Sequence, residues 1–340
     1  MTVHHRLGSY PIRFSNLREA LSSVPSGSFC LTDENVSSLY GASLDRCKTL
    51  VLPPGEPTKS IATFERCLEW LAAQGAGRGS TLVAFGGGVV GDLGGFVASA
   101  YMRGIEYVQI PSTLLAQVDS SIGGKVGVDL AAGKNLAGAF YPPTRVDVCL
   151  ELLDTLGARQ FNNGMAEVWK YGFIAEPELV ADLEQAGPRP KGHHLEAIVR
   201  RCLDIKAGIV TADEFEKTGL RATLNYGHTV GHAIEHAEGY AGLLHGEAIS
   251  IGMVVEAKLG ELLGISEPGV ARAVSDRLRA QGLPVSLTAP IQAEKLVESM
   301  WTDKKRKGAG LAFSLLTHIG GCKLVQDVLA DDVERAIKSL

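Results

Sequence analysis

With 340 residues, 45% of them apolar and 21% charged, the chain has the balance of a globular protein of about two domains, since one core rarely serves more than roughly 100–200 residues. A formal net charge of −5 argues against a general nucleic-acid binder, which needs a basic face to displace counterions from phosphate; an anionic small substrate stays open where lysines and arginines cluster locally. No run reaches the roughly 18 apolar residues of a membrane span, and the opening MTVHHRLGSYPIRF lacks the apolar core of a secretory signal, so a cytoplasmic protein with no membrane partner is expected.

In the first half, short β-rich runs alternate with helical stretches: SFCLTDENV, TLVLPP, a helix through IATFERCLEWLAAQGAG, then STLVAFGG and EYVQIPST. That rhythm reads as a parallel sheet with crossover helices. Thr81 to Phe85 is continuously apolar, as in a strand buried on both faces. The six cysteines, Cys30, Cys47, Cys67, Cys149, Cys202 and Cys322, are scattered without a C-x-x-C pair and are expected reduced and mostly buried.

The segment GGGVVGD, Gly86 to Asp92, follows the apolar strand and opens a helix. Glycines there let backbone approach a pyrophosphate, and the helix start offers unpaired N–H groups with partial positive charge. The pattern departs from G-x-G-x-x-G, and many strand-to-helix turns are glycine-rich for steric reasons alone. Pro111-Ser112-Thr113 ends the next strand and brings hydroxyls to the same sheet edge, where open parallel sheets bind ligands. Asp33 and Asn35 end the first of these strands, and Glu56 and Lys59 the second; both pairs suit ribose and adenine, although Glu56 and Lys59 equally suit a solvated turn. Gln117 to Pro143 is poor in bulky residues and holds two glycine-flanked lysines, Lys125 and Lys134, with Asn135 beside the second, which favours a phosphate site.

From about Leu152 the pattern turns to long helices, among them GMAEVWKYGF, LEAIVRRCLDIKAGIV, GHTVGHAIEHAEG and GEAISIGMVVEAKLGELLG, with apolar residues at three-to-four spacing. The expected division is an α/β domain over 1–151 and a mainly helical domain over 152–340. Gly187 to Gly192 is the expected mobile loop, and LAFSLLTHIGGCKLVQ reads as a hairpin followed by one amphipathic helix. NYGHTVGHAIEH spaces His228, His232 and His236 four apart, along one helix face, and His245 opens the next helix. Four of nine histidines within eighteen residues are hard to explain by packing. Two of them with a carboxylate, for which Glu167 is the best candidate, would make a metal site with open positions; spacing alone does not say which two. His4, His5, His193 and His194 have polar, loop-like surroundings and no assigned role, and His318 reads as structural.

The motifs GGGVVGDLGGF, YMRG, IPSTLLAQVDSSIGGK, GKNLAGAFYPP, MAEVWKYG, DEFEKTGLRATLNYGHTVGHAIE, LHGEA and TDKK stand in an order and at spacings similar to those of the 3-dehydroquinate synthase family of sugar phosphate cyclases, and the resemblance covers nearly the whole chain. It implies a Rossmann-like NAD-binding domain followed by a helical metal- and substrate-binding domain. It further implies a divalent metal, zinc or cobalt, on Glu167, His228 and His245. NAD would lie along Asp33, Asn35, Glu56, Lys59, Gly87, Gly88, Val89, Asp92, Ser112, Thr113 and Lys134, with Thr155 and Asn163 near the nicotinamide. An anionic sugar phosphate would be held by Arg103, Lys125, Asn135 and His232 around phosphate, by Lys206, Arg221 and Asn225 around a carboxylate, and by Lys170, Lys304 and Lys305. Glu216, His232, Lys170 and Asp119 would be the catalytic side chains, and Arg103 reaching a neighbouring subunit's site implies a homodimer.

In the family's chemistry NAD transiently oxidises one hydroxyl of 3-deoxy-D-arabino-heptulosonate 7-phosphate, which acidifies the adjacent C–H. Phosphate is then eliminated, the ketone is reduced again, and an aldol step closes the ring as 3-dehydroquinate. Three departures stand out: one extra residue separates Glu216 from Arg221, Thr155-Leu156-Gly157 replaces the usual TLP, and Gln160 replaces the usual glutamate. Rival readings are another cyclase, such as a 2-deoxy-scyllo-inosose or aminodehydroquinate synthase, a metal-dependent alcohol or glycerol dehydrogenase that would release NADH, and a catalytically dead relic. Lys206, Arg221 and Lys304-Lys305 favour a substrate with an acid group, and the intact GHAIE speaks against valiolone-type cyclases.

Overall fold

The computed structural model describes all residues except 7, 238–241, 288–292, 303–309 and 340. The chain divides into two compact units, Met1–Gly157 with Lys206–Thr211, and Ala158–Ile205 with Ala212–Leu340.

The first unit is built on a seven-stranded sheet. Its strands are β1 (Thr2–His5), β2 (Gly8–Phe14), β3 (Phe29–Asp33), β4 (Lys48–Leu52), β5 (Thr81–Gly86) and β6 (Glu106–Pro111), while β7 (Lys125–Leu130) and β8 (Gly133–Phe140) form a separate hairpin before β9 (Arg145–Val148) completes the sheet. The order β1-β2-β9-β6-β5-β3-β4 is parallel throughout except for the β1–β2 pair at one edge. Every residue of β5 is buried, as its uninterrupted apolar run predicts for a central strand covered on both faces. Helices α1 (Leu17–Ser22), α2 (Glu34–Tyr40), α3 (Ile61–Ala73) and α4 (Gly88–Ala100) connect the strands. The chain leaves β3 outward to β4 and returns on the other side of β3 to β5. The carboxyl ends of β3 and β5 therefore flank the topological switch point, where doubly wound sheets leave a crevice for ligands.

Sequence periodicity did not announce five of these strands. β1 and β2 are short and mixed in character, β9 has four residues, and the glycine-rich stretch read as a phosphate loop is the β7–β8 hairpin, paired from Lys125–Phe140 to Leu130–Gly133. Gly127 and Gly138 face each other across it, and a Cβ on Gly138 would lie 2.2 Å from the Val126 carbonyl oxygen. Close backbone approach thus explains glycines that otherwise suggest a loop.

The second unit is helical. It comprises α5 (Ala158–Ala175), α6 (Pro177–Ala186), most of α7 (Gly192–Ala212), α8 (His228–Ala237), α9 (His245–Leu262), α10 (Val270–Ala280) and α11 (Ala293–Thr302). The hairpin of β10 (Leu311–His318) and β11 (Gly321–Val328) and a final helix α12 (Ala330–Lys338) complete it. α9 is the spine, buried along almost its whole length and packed against α5, α8, α10, α12 and β10. Apolar residues of α8, α9, α11, α12 and the hairpin form one core around Ile234, Val255, Leu259, Leu296, Phe313 and Val333. Among the described residues no helix is long and apolar enough to cross a membrane, and all six cysteines are free, four of them buried.

Candidate metal and cofactor sites

The second unit gathers a buried carboxylate and three imidazoles. Glu167 is 1% exposed because α5 is buried on every side from Asn163 to Ile174. His228 is the first residue of α8 and His245 the first of α9. Their Nε2 atoms stand 3.4 and 3.5 Å from Glu167 Oε1, and one donor atom from each of the three residues lies within 4.8 Å of the other two. The His232 ring centroid is 5.5 Å from that of His228 and 6.0 Å from that of His245. The exposed His236 pairs instead with Ser299 Oγ at 3.2 Å.

The ring nitrogens distinguish a metal site from an ordinary polar cluster. His228 Nδ1 lies 3.1 Å from the Tyr226 carbonyl, which can only accept, so the proton belongs on Nδ1. Burial first and the nearby Lys170 ammonium second push the His228 pKa down to about 4. A neutral His228 therefore turns the lone pair of Nε2 toward Glu167 Oε1, acceptor facing acceptor, and that buried oxygen has no hydrogen bond, while Oε2 pairs with the Lys170 ammonium. A cation between them removes the conflict, which is the donor set and open geometry a divalent metal takes. His245 sits between two carboxylates, with Nδ1 3.6 Å from Glu235 Oε2; burial would lower its pKa, but Glu167 and Glu235 raise it to about 9. Burial would raise Glu167, yet the Lys170 ammonium, which ion-pairs with it one turn along α5, and the two imidazoles hold it well below the ordinary range. Lys170, 1% exposed, also lies 5.1 Å from the Tyr171 ring.

In the first unit, Gly87 caps α4 at the end of β5, and the Ser112 amide donates to the Gly86 carbonyl at 2.8 Å. A Cβ on Gly87 would lie 3.2 Å from Thr113 Cγ2, and one on Gly88 3.1 Å from Ser120 Oγ. Gly87, Gly88, Val89, Ser112 and Thr113 thus converge at the switch-point edge. There Asp33 caps α2 by accepting from the Val36 amide at 3.0 Å, with the exposed Asn35 just beyond. Lys59 is the hub of a buried ion cluster, with Glu56 at 3.0 Å, Asp92 at 3.3 Å and Asp129 at 3.8 Å, and Lys134 stands 3.8 Å from Glu56. Burial raises the Asp92 pKa to about 6 in spite of Lys59. The solvated-turn alternative for Glu56 and Lys59 fails for Lys59, which is 5% exposed. Asp129, which spacing and motif reading both missed, also accepts from the Asn135 amide at 2.8 Å and so ties the hairpin to this cluster.

The remaining sequence candidates fall elsewhere. Lys206 Nζ pairs with Asp119 Oδ1 at 2.7 Å and its carbonyl oxygen at 2.6 Å. Lys125 and Asn135 are exposed on the hairpin, Asn135 with φ 54°. Arg103 (φ 68°) follows Met102 (φ 51°) in two successive left-handed residues at the end of α4. Thr155 Oγ1 meets Tyr40 Oη at 2.9 Å, and Asn163 Oδ1 accepts from the Gly246 amide at 2.5 Å, at the start of α9. The segment carrying the extra residue is folded around Asp213, whose carboxylate accepts from the amides of Lys217, Thr218 and Arg221. Glu216 is exposed there with φ 55°; Arg221 is 3% exposed and donates to the Glu214 carbonyl; Asn225 ends the turn Arg221–Asn225. Lys304 and Lys305 lie outside the described residues.

A parallel sheet with a glycine-lined switch-point edge, and a helical unit holding a Glu-His-His cluster, are shared with sugar phosphate cyclases, the class to which the fold is similar: the chain superposes on a 2-epi-5-epi-valiolone synthase from Streptomyces hygroscopicus subsp. jinggangensis 5008 with NAD+ and Zn2+ bound (TM-score 0.91, 26% identity, 99% of this chain and 98% of that one). A 2-deoxy-scyllo-inosose synthase complexed with carbaglucose-6-phosphate, NAD+ and Co2+ matches at TM-score 0.88 and 26% identity over 100% and 99% of the two chains. Within that class the sequence is more decisive. The models for the 3-dehydroquinate synthase N-terminal and C-terminal regions match residues 49–163 and 164–306, and a 3-dehydroquinate synthase from Opitutus terrae is 42% identical over 97% of this chain and 96% of its own. The chain belongs to the 3-dehydroquinate synthase family.

Proposed function

We propose that the chain converts 3-deoxy-D-arabino-heptulosonate 7-phosphate to 3-dehydroquinate and phosphate, with NAD on the first unit and a divalent metal, zinc or cobalt, on Glu167, His228 and His245 of the second. The carrying observation is the convergence of His228 Nε2 and His245 Nε2, at 3.4 and 3.5 Å, on the buried Glu167 Oε1, with His228 Nδ1 directed at the Tyr226 carbonyl. The 42% identity to a 3-dehydroquinate synthase, against 26% to the two cyclases of other substrates, supports this substrate over theirs.

When bound, NAD supplies a reversible hydride acceptor and the cation polarises the oxygen that alternates between alkoxide and carbonyl. The chain's own side chains do the rest. Gly87, Gly88, Ser112 and Thr113 offer amides and hydroxyls to the pyrophosphate, and the Lys59 cluster with Asp33 takes the ribose end. Lys170 sets the charge of Glu167 by direct pairing. His232, beside both histidine ligands yet outside the Glu167 triad, holds and returns a proton at an imidazole nitrogen. Arg103, Lys125 and Asn135 take the phosphate and Lys206, Arg221 and Asn225 the carboxylate, with Lys304 and Lys305 assigned to the same substrate by motif. Fixing both charged ends orients the substrate before any bond changes. Asp119, paired with Lys206, and Glu216 complete the acid–base set. A homodimer in which Arg103 serves the neighbouring site, and a cytoplasmic location, belong to the same reading.

The test is an assay of purified protein with NAD, cobalt and the heptulosonate phosphate. Equal release of phosphate and cyclic product, abolished by chelator, is expected. Turnover of glucose 6-phosphate with none of the heptulosonate phosphate would reassign the substrate.

A further inference from the structure

Each histidine of the proposed metal site opens a helix whose own preceding residue cannot cap it. Gly227 before α8 has no side chain, and Leu244 before α9 has no acceptor. The Leu244 amide bonds to Glu247 of α9 itself, but other amides at both starts find acceptors on other helices. Asn163 of α5 accepts from Gly246, and Glu256, three turns along α9, reaches the start of α8, where its carboxylate accepts from the Gly227 amide at 2.7 Å and the Val230 amide at 3.2 Å. Glu256 is 0% exposed, and α8 and α9 touch there backbone to backbone, since a Cβ on Gly252 would lie 2.0 Å from the Gly227 carbonyl oxygen. Gly227 and Val230 bracket His228, so the two bonds fix the turn from which that imidazole projects.

We infer that Glu256 is a positioning residue for the metal site, holding His228 at its ligand distance by capping α8 from α9. The inference rests on the metal reading given above. A carboxylate suits this place because it accepts two N–H bonds at once and faces the positive end of the helix dipole. An amide of the same size accepts with one oxygen and turns an N–H toward a donor. With α5 bracing α9 through Asn163 and α9 bracing α8 through Glu256, both histidines are set by one spine. A lone acid in ISIGMVVEAKLG is the only sequence trace of this device.

Glu261 provides a matched comparison, because it also lies on α9 and its Oε1 accepts from the Gly269 and Ala271 amides at 2.9 and 3.0 Å, capping α10 away from the histidines. Metal-stripped full-length protein is titrated with cobalt(II), following its visible absorption and the affinity against a competing chelator. Glu256→Gln is expected to weaken cobalt by about 10–100-fold and to shift the absorption bands; Glu261→Gln is expected to lower thermal stability but leave affinity and spectrum as in the unmodified chain. If Glu256→Gln is insoluble, Glu256→Asp, one methylene short of spanning both amides, must still bind cobalt more weakly than the unmodified chain. Native affinity and spectrum in the soluble Glu256 variant overturn this inference alone. No cobalt uptake by the unmodified chain overturns the metal reading and this inference with it.

Discussion

At the scale of single residues, the site is a set of charges that only make sense together. Lys170 and Glu167 are each 1% exposed and paired, so Lys170→Ala leaves a buried carboxylate without its strongest cation. Removing one partner of such a pair costs about 3–5 kcal/mol, and a correspondingly lower midpoint in urea unfolding of the metal-free protein is the check; an unchanged midpoint would show that the pair carries no net energy. His245→Ala should abolish tight metal binding and turnover, read by metal content after dialysis, while NAD still binds. Asp213 gives a pH signature: three backbone N–H bonds, opposed by burial, lower its pKa to about 2. A depressed carboxylate contributes stability that is complete above its unfolded pKa of roughly 4 and is lost as pH falls toward 2. Asp213→Asn should therefore lose stability relative to the unmodified chain at pH 7, and the gap should narrow in acid. The histidine cluster was legible from the sequence as four imidazoles within eighteen residues, whereas the choice of His228 and His245 beside Glu167 came from the family resemblance. Asp129, Glu235 and Glu256 were not, since their roles depend on which helix or strand lies opposite, and neither spacing nor composition encodes that.

At the scale of elements, legibility followed length and periodicity. The continuous apolar run of β5 and the three-to-four spacing of α5 and α9 identified those elements, whereas β1, β2 and β9 are too short or mixed to show a period. The β7–β8 hairpin escaped notice as a pair of strands because its glycines answer to backbone contact across the ladder and break any period of side chains. The α8–α9 contact makes the same point in the helical unit. Gly252→Ala would put a methyl group against the Gly227 carbonyl, so α8 must shift, at a cost of about 1–3 kcal/mol. A lower melting temperature together with weaker metal binding is expected; loss of stability with native metal affinity would mean that α8 yields without moving His228.

At the scale of the whole molecule, the two units differ in character: the first carries glycine-lined strand ends and the second a buried carboxylate–imidazole cluster. The family was legible because its motifs carry backbone and charge requirements along the full chain, and 42% identity to an enzyme of that family agrees. Substrate contacts are less so, as Lys125 and Asn135 are exposed and only the charge of the first and the polar amide of the second recommend them. Lys125→Ala should raise KM for the heptulosonate phosphate with a smaller change in kcat, and an unchanged KM would remove it from the phosphate site. The most direct measurement supplies one NAD per chain with a large excess of substrate and follows phosphate and reduced nicotinamide together. Many phosphates per NAD with no NADH accumulating is the predicted result; one NADH formed per substrate consumed, with turnover ending when NAD is spent, would contradict it and make the chain a dehydrogenase.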